Sequence, residues 1–525
     1  FRVRHKMRWW ALLLLVSATT TLAFRFPTRE EKLAAWEKLD TVKDFSDGVP
    51  PGYKLVLVNP LWRHGDRGPT EAFPGDKVTE DEWDFGGGGY GELSPIGMRQ
   101  HYELGNKLYE RYAANGDFLS TRYRAKEVYA KATDRNRTLI SAMSNFAGMY
   151  SRAATAINGT DYPEIDAWPT SFVPIPIHTA KYMDHEGDPD SHCARQDDLW
   201  ALAQQLPEYI AFDTKTRTQQ TLQYLRDKTG SDANGINFDN IYILRQGMLC
   251  ESIHFNDSYA DWYPWYTDDV KQRVDEIDDQ NVDFQNGIFA SGMIQGYDLT
   301  IELPKIRGGA VINDIVDTAN GVLDCYEFNN NLGGNTRCTE SDHFLRNLKY
   351  YVISAHDSTI AAYLTTLEAK PYVLTSGGYP SYSAAVITEF FIDVDHGNER
   401  KFRLLFHDDE FSDFRVITPM VAGCDISEPF CDIKHIQALA DKYAPEGGID
   451  TLCDQRLDGP AVDTTKAPPP PASTASPSPS PTTTTKKTDD NVPTTVTTPS
   501  TTTSPSSLLT CVSAAAVVLI ANLFF

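Results

Sequence analysis

Three times along this chain a short apolar or β-branched run gives way to a few polar residues and then to helical periodicity. "YKLVLVNPLW" leads into Arg63 and His64, "VYAKA" into Thr133 and Asp134, and "YYVIS" into Ala355, His356 and Asp357. Apolar runs of this length, bounded by turn residues and followed by helices, read as buried strands of an α/β sheet. Open sheets of that class take their ligands outside the carboxyl ends of the strands. All three junctions deliver histidine, arginine or aspartate there, so the pattern predicts one shared site.

The helices after these strands can be placed. Ser94 is an N-cap with Pro95 in the first position, and Met98, Tyr102, Gly105, Tyr109 and Tyr112 are expected to form its buried stripe. Thr133 and Asp134 read as the capping pair of a second helix that buries Leu139, Met143, Phe146 and Tyr150. A third begins near Ser358 or Thr359. The run Gly86–Gly89 is not followed by Lys-Ser/Thr, so it reads as a surface loop and not a phosphate loop. Arg135 and Arg137 fall in the first turn of the second helix, where a bound anion would attract guanidinium and helix dipole alike.

His64 lies between Arg63 and Arg67. Neighbouring cations disfavour the imidazolium, which leaves a neutral ring with a free lone pair. Arginine forks pair bidentately with phosphate oxygens and stay charged. Phosphoryl transfer asks a protein mainly for positioning and charge stabilisation. These residues therefore suit attack by His64 on phosphorus, with Asp357 protonating the leaving oxygen. No His/Cys/Asp/Glu spacing matches a zinc or iron site, so the reading is metal-free and without a cofactor.

The segment "RHGDRGPT" resembles the RHGxRxP signature of the histidine acid phosphatases, and "SAHDST" their later His-Asp motif. "TDRNRTLISAM" and "LSPIGMRQHYELGNKLYERY" are similar to two further segments of that family, in the same order, over roughly Tyr53 to Cys453. The prostatic and lysosomal branch is the most similar. The resemblance implies His64 as nucleophile, Asp357 as proton donor, and Arg63, Arg67, Arg137 and His356 as phosphate ligands. It also implies a phosphoglycerate-mutase-like core, a central sheet flanked by helices, with a mainly helical cap inserted within 161–342. The substrates it implies are small phosphate monoesters, and dimers occur in the family. Cys193 with Cys453, and Cys424 with Cys431, match family bridges. Cys250 matches a family cysteine whose partner position reads Ala385 here. Cys325 and Cys338 bracket an apparent insertion and are expected to pair, leaving Cys250 free. A phytase or inositol polyphosphate phosphatase is the alternative within the superfamily. From another class, a non-catalytic mucin-like surface glycoprotein could retain the fold, although it would be expected to lose one of these site residues.

Composition sets the remaining bounds. The net charge of −24 argues against a nucleic-acid partner. Residues 1–23 contain "MRWWALLLLVSATTTLA", read as a secretory signal cut after Ala23. The catalytic domain is expected over 24–460. A Pro/Ser/Thr-rich stalk follows over 461–507, then an apolar segment over 508–525 that reads as a membrane anchor or lipid-anchor signal. Cysteine use fits the same extracellular or luminal compartment, at a cell surface or in a lysosome-like lumen. Sequons at Asn158 and Asn256 are candidate glycan sites; the one at Asn136 adjoins the predicted active site and is set aside.

Overall fold

The computed structural model describes residues 49–114, 118–179, 184–332, 338, 343–374 and 378–457. The signal, stalk and tail segments predicted at 1–23, 461–507 and 508–525 lie outside the described residues. Among the described residues no helix is long and apolar enough to cross a membrane.

A mixed eight-stranded sheet organises the chain. Its strands are β1 (Tyr53–Arg63), β2 (Val128–Ala132), β3 (His178–Thr179), β4 (Tyr350–Ala355), β5 (Ala385–Asp393), β6 (Glu399–His407), β7 (Arg415–Val416) and β8 (Cys431–Asp432). Their order is β8-β6-β5-β1-β4-β2-β3, with β7 paired to β6. β1, β4, β2 and β3 run parallel, while β5 is antiparallel to β1 and to β6. The central strands are buried on both faces, which explains their unbroken apolar runs.

Helices cover the two faces. Helices α1 (Pro95–Tyr109) and α2 (Asn136–Tyr150) close one of them over Val58, Trp62, Tyr350 and Val352. Between the second and fourth strands come α3 (Ala194–Ala203), α4 (Pro207–Asp213), α5 (Thr216–Thr229), α6 (Ile241–His254), α7 (Asn256–Trp262) and α8 (Asp268–Gln285). These six helices have a core of their own, including Leu199, Leu222, Leu244, Val274 and Phe284. The long helix α9 (Leu299–Asn329) starts in that core through Leu299 and Leu303. It then crosses into the sheet's core through Ile312, Ile315 and Ala319, together with α10 (Asp357–Thr366) and α11 (Ile433–Lys442). The core of the six helices therefore gives way to the core of the sheet partway along α9.

Ser94 caps α1 as its sequence indicates, with its hydroxyl accepting from the Gly97 N–H. The predicted stripes need correction. Gly105, Tyr109, Tyr112, Phe146 and Tyr150 are buried as expected, but Tyr102 and Met143 are exposed, and the buried faces also include Gly97, His101, Leu104 and Leu108 on α1 and Ser141, Ala142, Asn145, Gly148 and Met149 on α2. The two helices approach too closely for large side chains: a Cβ at Gly105 would meet the Asn145 carbonyl at 2.0 Å, and one at Gly148 the Tyr102 carbonyl at 2.2 Å. The N-cap of α2 is Arg135, not Thr133 or Asp134, because Thr133 is committed elsewhere. Disulfides join Cys193 to Cys453, Cys325 to Cys338 and Cys424 to Cys431; Cys250 is free and buried. Asn158 and Asn256 are exposed.

Candidate active site

The parallel strands end level with one another. Arg63 registers with Ala355 and Ser354 with Ala132. His64, His356 and Thr133 therefore emerge side by side at one sheet edge. The His64 N–H extends the ladder to the Ala355 carbonyl at 3.0 Å, and the Thr133 N–H reaches the Ser354 carbonyl at 3.1 Å. A glycine is required directly after His64, since a Cβ at Gly65 would lie 2.4 Å from the Gly97 carbonyl.

His64 is 1% exposed. Its Nδ1 lies 2.8 Å from the Gly65 carbonyl and must donate to it, which places the free lone pair on Nε2. Burial, and then Arg137, Arg67 and Arg63, push its pKa well below the usual 6.5, so the ring stays neutral in acid. His356 lies beside it with ring centroids 5.7 Å apart, and burial and Arg137 likewise favour its neutral form.

Three guanidinium groups surround this pair. Arg63 Nη1 donates to the Pro380 carbonyl at 2.6 Å, Nη2 pairs with Asp357 Oδ2 at 2.8 Å, and the Tyr382 ring stacks 4.2 Å from its Cζ. Arg67 donates to the Gly68 carbonyl and to Gln246 Oε1 at 2.7 and 3.1 Å. Arg137, on the first turn of α2, has its pKa pushed down to about 10 by burial and by Arg67. Among the described residues, Arg63, Arg67 and Arg137 each leave a buried Nε–H without a protein acceptor. Convergent cations with spare donors make an anion cradle.

Asp357 opens α10, and its backbone neighbour Ser358 donates to Oδ1 at 2.9 Å. Burial alone would raise its pKa, but Arg63, Arg67 and His356 outweigh burial and hold the carboxyl below its ordinary range. The helix starts at Asp357, one residue before Ser358, with His356 as its N-cap, and His356 Nε2 meets Thr133 Oγ1 at 2.9 Å. Thr133 Oγ1 also lies 3.0 Å from Thr138 Oγ1. Arg135 pairs with Asp188 at 3.5 Å at the rim.

Thus His64, Arg63, Arg67, Arg137, His356 and Asp357, predicted from three separate segments, share one cluster. Tyr382, Gln246 and Thr133 also belong to it and were not assigned there from sequence. Tyr382 and Gln246 have no local signature, and Thr133 carried the signal of a helix cap.

Comparisons with known proteins give the family. The model of the histidine phosphatase superfamily (branch 2) matches residues 54–407. The chain is 31% identical over 406 residues to a Caenorhabditis elegans protein named "Putative acid phosphatase 10", covering 76% of this chain and 94% of that one. It is 29% identical over 356 residues to human lysosomal acid phosphatase, covering 67% and 70% of the two chains. The fold is similar to that of a Klebsiella sp. ASR1 phytase, with a TM-score of 0.52 at 18% identity over 76% of this chain and 98% of that one. From the strand-end cluster and the family match together, the chain belongs to branch 2 of the histidine phosphatase superfamily.

Proposed function

We propose that this protein is an acid phosphatase that cleaves phosphate monoesters by transferring the phosphoryl group to His64 Nε2. The observation that carries the reading is a neutral buried imidazole, with its lone pair fixed on Nε2, among three arginines that have donors to spare. Arg63, Arg67, Arg137 and His356 hold the phosphate oxygens and stabilise the charge of the transition state. An N–P bond forms as the ester P–O bond breaks, and the leaving oxygen takes its proton from Asp357. The Asp357 carboxylate then draws a proton from the water that releases phosphate from His64.

Asp357 is ionised in the free protein because Arg63 and Arg67 hold it so. A phosphate bound to those arginines neutralises their field, raises the carboxyl's proton affinity and readies the acid when it is needed. Asp357→Asn keeps the shape and removes the proton. General acid catalysis contributes about 100- to 10,000-fold, and chiefly for leaving groups that are strongly basic. The variant should lose far more activity on glycerol phosphate than on p-nitrophenyl phosphate. Equal losses on the two esters would move the acid to another residue.

Charge favours simple monoesters over inositol polyphosphates. Residues 184–285 hold 21 Asp and Glu against 8 Lys and Arg. Arg245 is engaged by Asp275 and Asp278, and Arg307 by Asp190. A substrate carrying further phosphates would meet paired cations and surplus carboxylates there. Three disulfides and the acid phosphatase relatives support a lumen of the secretory pathway or the cell exterior as the working compartment. Anchoring through 508–525 is part of the same proposal.

A further inference from the structure

Helix α6 lays one stripe against the loop that carries His64. Gln246, Cys250 and His254 are spaced by four residues and so share a face. Gln246 Oε1 accepts from Arg67 Nη2 and from Thr70 Oγ1, both at 3.1 Å. Cys250 Sγ lies 3.5 Å from the hydroxyl of Tyr382, the ring stacked on Arg63. His254 Nε2 donates to Asp66 Oδ2 at 2.7 Å.

Asp66 stands between the nucleophile and Arg67 and is fully buried. Its N–H donates to Gln100 Oε1 at 2.8 Å, and its carbonyl accepts from the Ser94 N–H at 2.9 Å, so α1 fixes its backbone. Among the described residues its carboxylate has two donors, the Ser94 hydroxyl and His254, both on Oδ2, and Oδ1 has no partner. A buried carboxylate so sparsely bonded depends heavily on each donor it has. The His254 ring is itself held, edge-on to Trp83 at 5.7 Å and tilted against Phe85 at 4.9 Å.

We propose that His254 is a positioning residue for phosphoryl transfer: through Asp66 it fixes the segment from His64 to Arg67, so that the nucleophile and its phosphate-binding guanidinium keep one separation. The proposal rests on the reading of His64 as nucleophile. It goes beyond that reading by giving a helix of the insertion a part in the geometry of the attack, through a residue outside every signature segment.

The test compares His254→Gln, whose side-chain amide can still reach Asp66, with His254→Asn, which is too short, and His254→Leu, which has no donor. The measurements are kcat, KM for p-nitrophenyl phosphate, Ki for inorganic phosphate and the melting temperature, with His64→Ala alongside. A displacement of about 1 Å in a reacting group costs about 100-fold. His254→Leu and His254→Asn should lose on that order in kcat, with weaker phosphate inhibition, while His254→Gln stays within about 10-fold of the parent. If His254→Leu does not fold, the Gln and Asn pair decides. Parental kcat and Ki in a folded His254→Asn, or losses in His254→Gln equal to those in His254→Asn at matched melting temperature, would overturn the proposal. Turnover that persists in His64→Ala would instead sink the nucleophile assignment beneath it.

Discussion

Arg137 does two jobs at one position. It presents to the site a guanidinium whose buried Nε–H is unpaired among the described residues, and after burial it is the leading cause of the low pKa of both His64 and His356. The His64 imidazole is therefore held neutral in acid, and kcat/KM should show no acid limb near 6.5. Replacing Arg137 by Leu removes a neighbouring cation, which raises the proton affinity of both imidazoles. The acid limb should move upward in pH, with a fall of about 100- to 1000-fold in the plateau from the lost transition-state contact. A pH–rate profile of the two proteins checks this; an unmoved limb would mean that burial alone sets the pKa of His64. At this scale much of the site was legible, because Arg63, His64, Arg67, His356 and Asp357 stand in contiguous signature segments. Asp66 was in plain view, but its partner His254 lies 188 positions away, and no local pattern joins them.

The strands were readable because burial on both faces leaves uninterrupted apolar runs, and β1, β2 and β4 all fall where the runs placed them. The faces of α1 and α2 were not readable by the same rule. Weighting large apolar side chains selected Tyr102 and Met143, whereas the contact is built from glycine, alanine, serine and asparagine at close range. Gly105→Ala would force the Asn145 carbonyl away and separate the helices, an overpacking cost of about 1–3 kcal/mol. The outcome should appear as a lower urea midpoint with an unchanged slope. A midpoint equal to the parent's would show that the two helices can part freely. The cap of α2 was misplaced for a related reason: the Thr133 hydroxyl that would have served there is bonded to His356 and Thr138.

Across the whole molecule, buried titratable groups oppose one another. Glu251 is fully buried, and burial and Asp76 raise its pKa from 4.5 to about 8. Its folded-state pKa exceeds the unfolded value, so its contribution is complete below 4.5 and is lost as pH rises through 8. His101 and His407 act in the other direction. Burial lowers them from 6.5 to about 4 and about 3, so unfolding takes up protons, and stability falls, as pH drops below 6.5. The two windows overlap between pH 4.5 and 6.5, where the two histidines outweigh the one carboxyl, so these groups place the stability maximum near pH 6.5. Glu251→Gln, which imitates the protonated acid, should remove about 2–4 kcal/mol of the loss between pH 5 and pH 8 in urea titrations. A pH dependence unchanged from the parent would place the alkaline loss elsewhere. The second core, with Leu199, Leu244 and Phe284, was not readable from the residues themselves, since it has no counterpart in any single motif.

The central claim is that phosphate passes through His64. Mixing the protein with labelled substrate and quenching in denaturant within one turnover should leave phosphate on the chain, stable to base, labile to acid, and recovered on the peptide that contains His64. His64→Ala should show neither label nor turnover. Label on a different residue, or turnover without His64, would contradict the account.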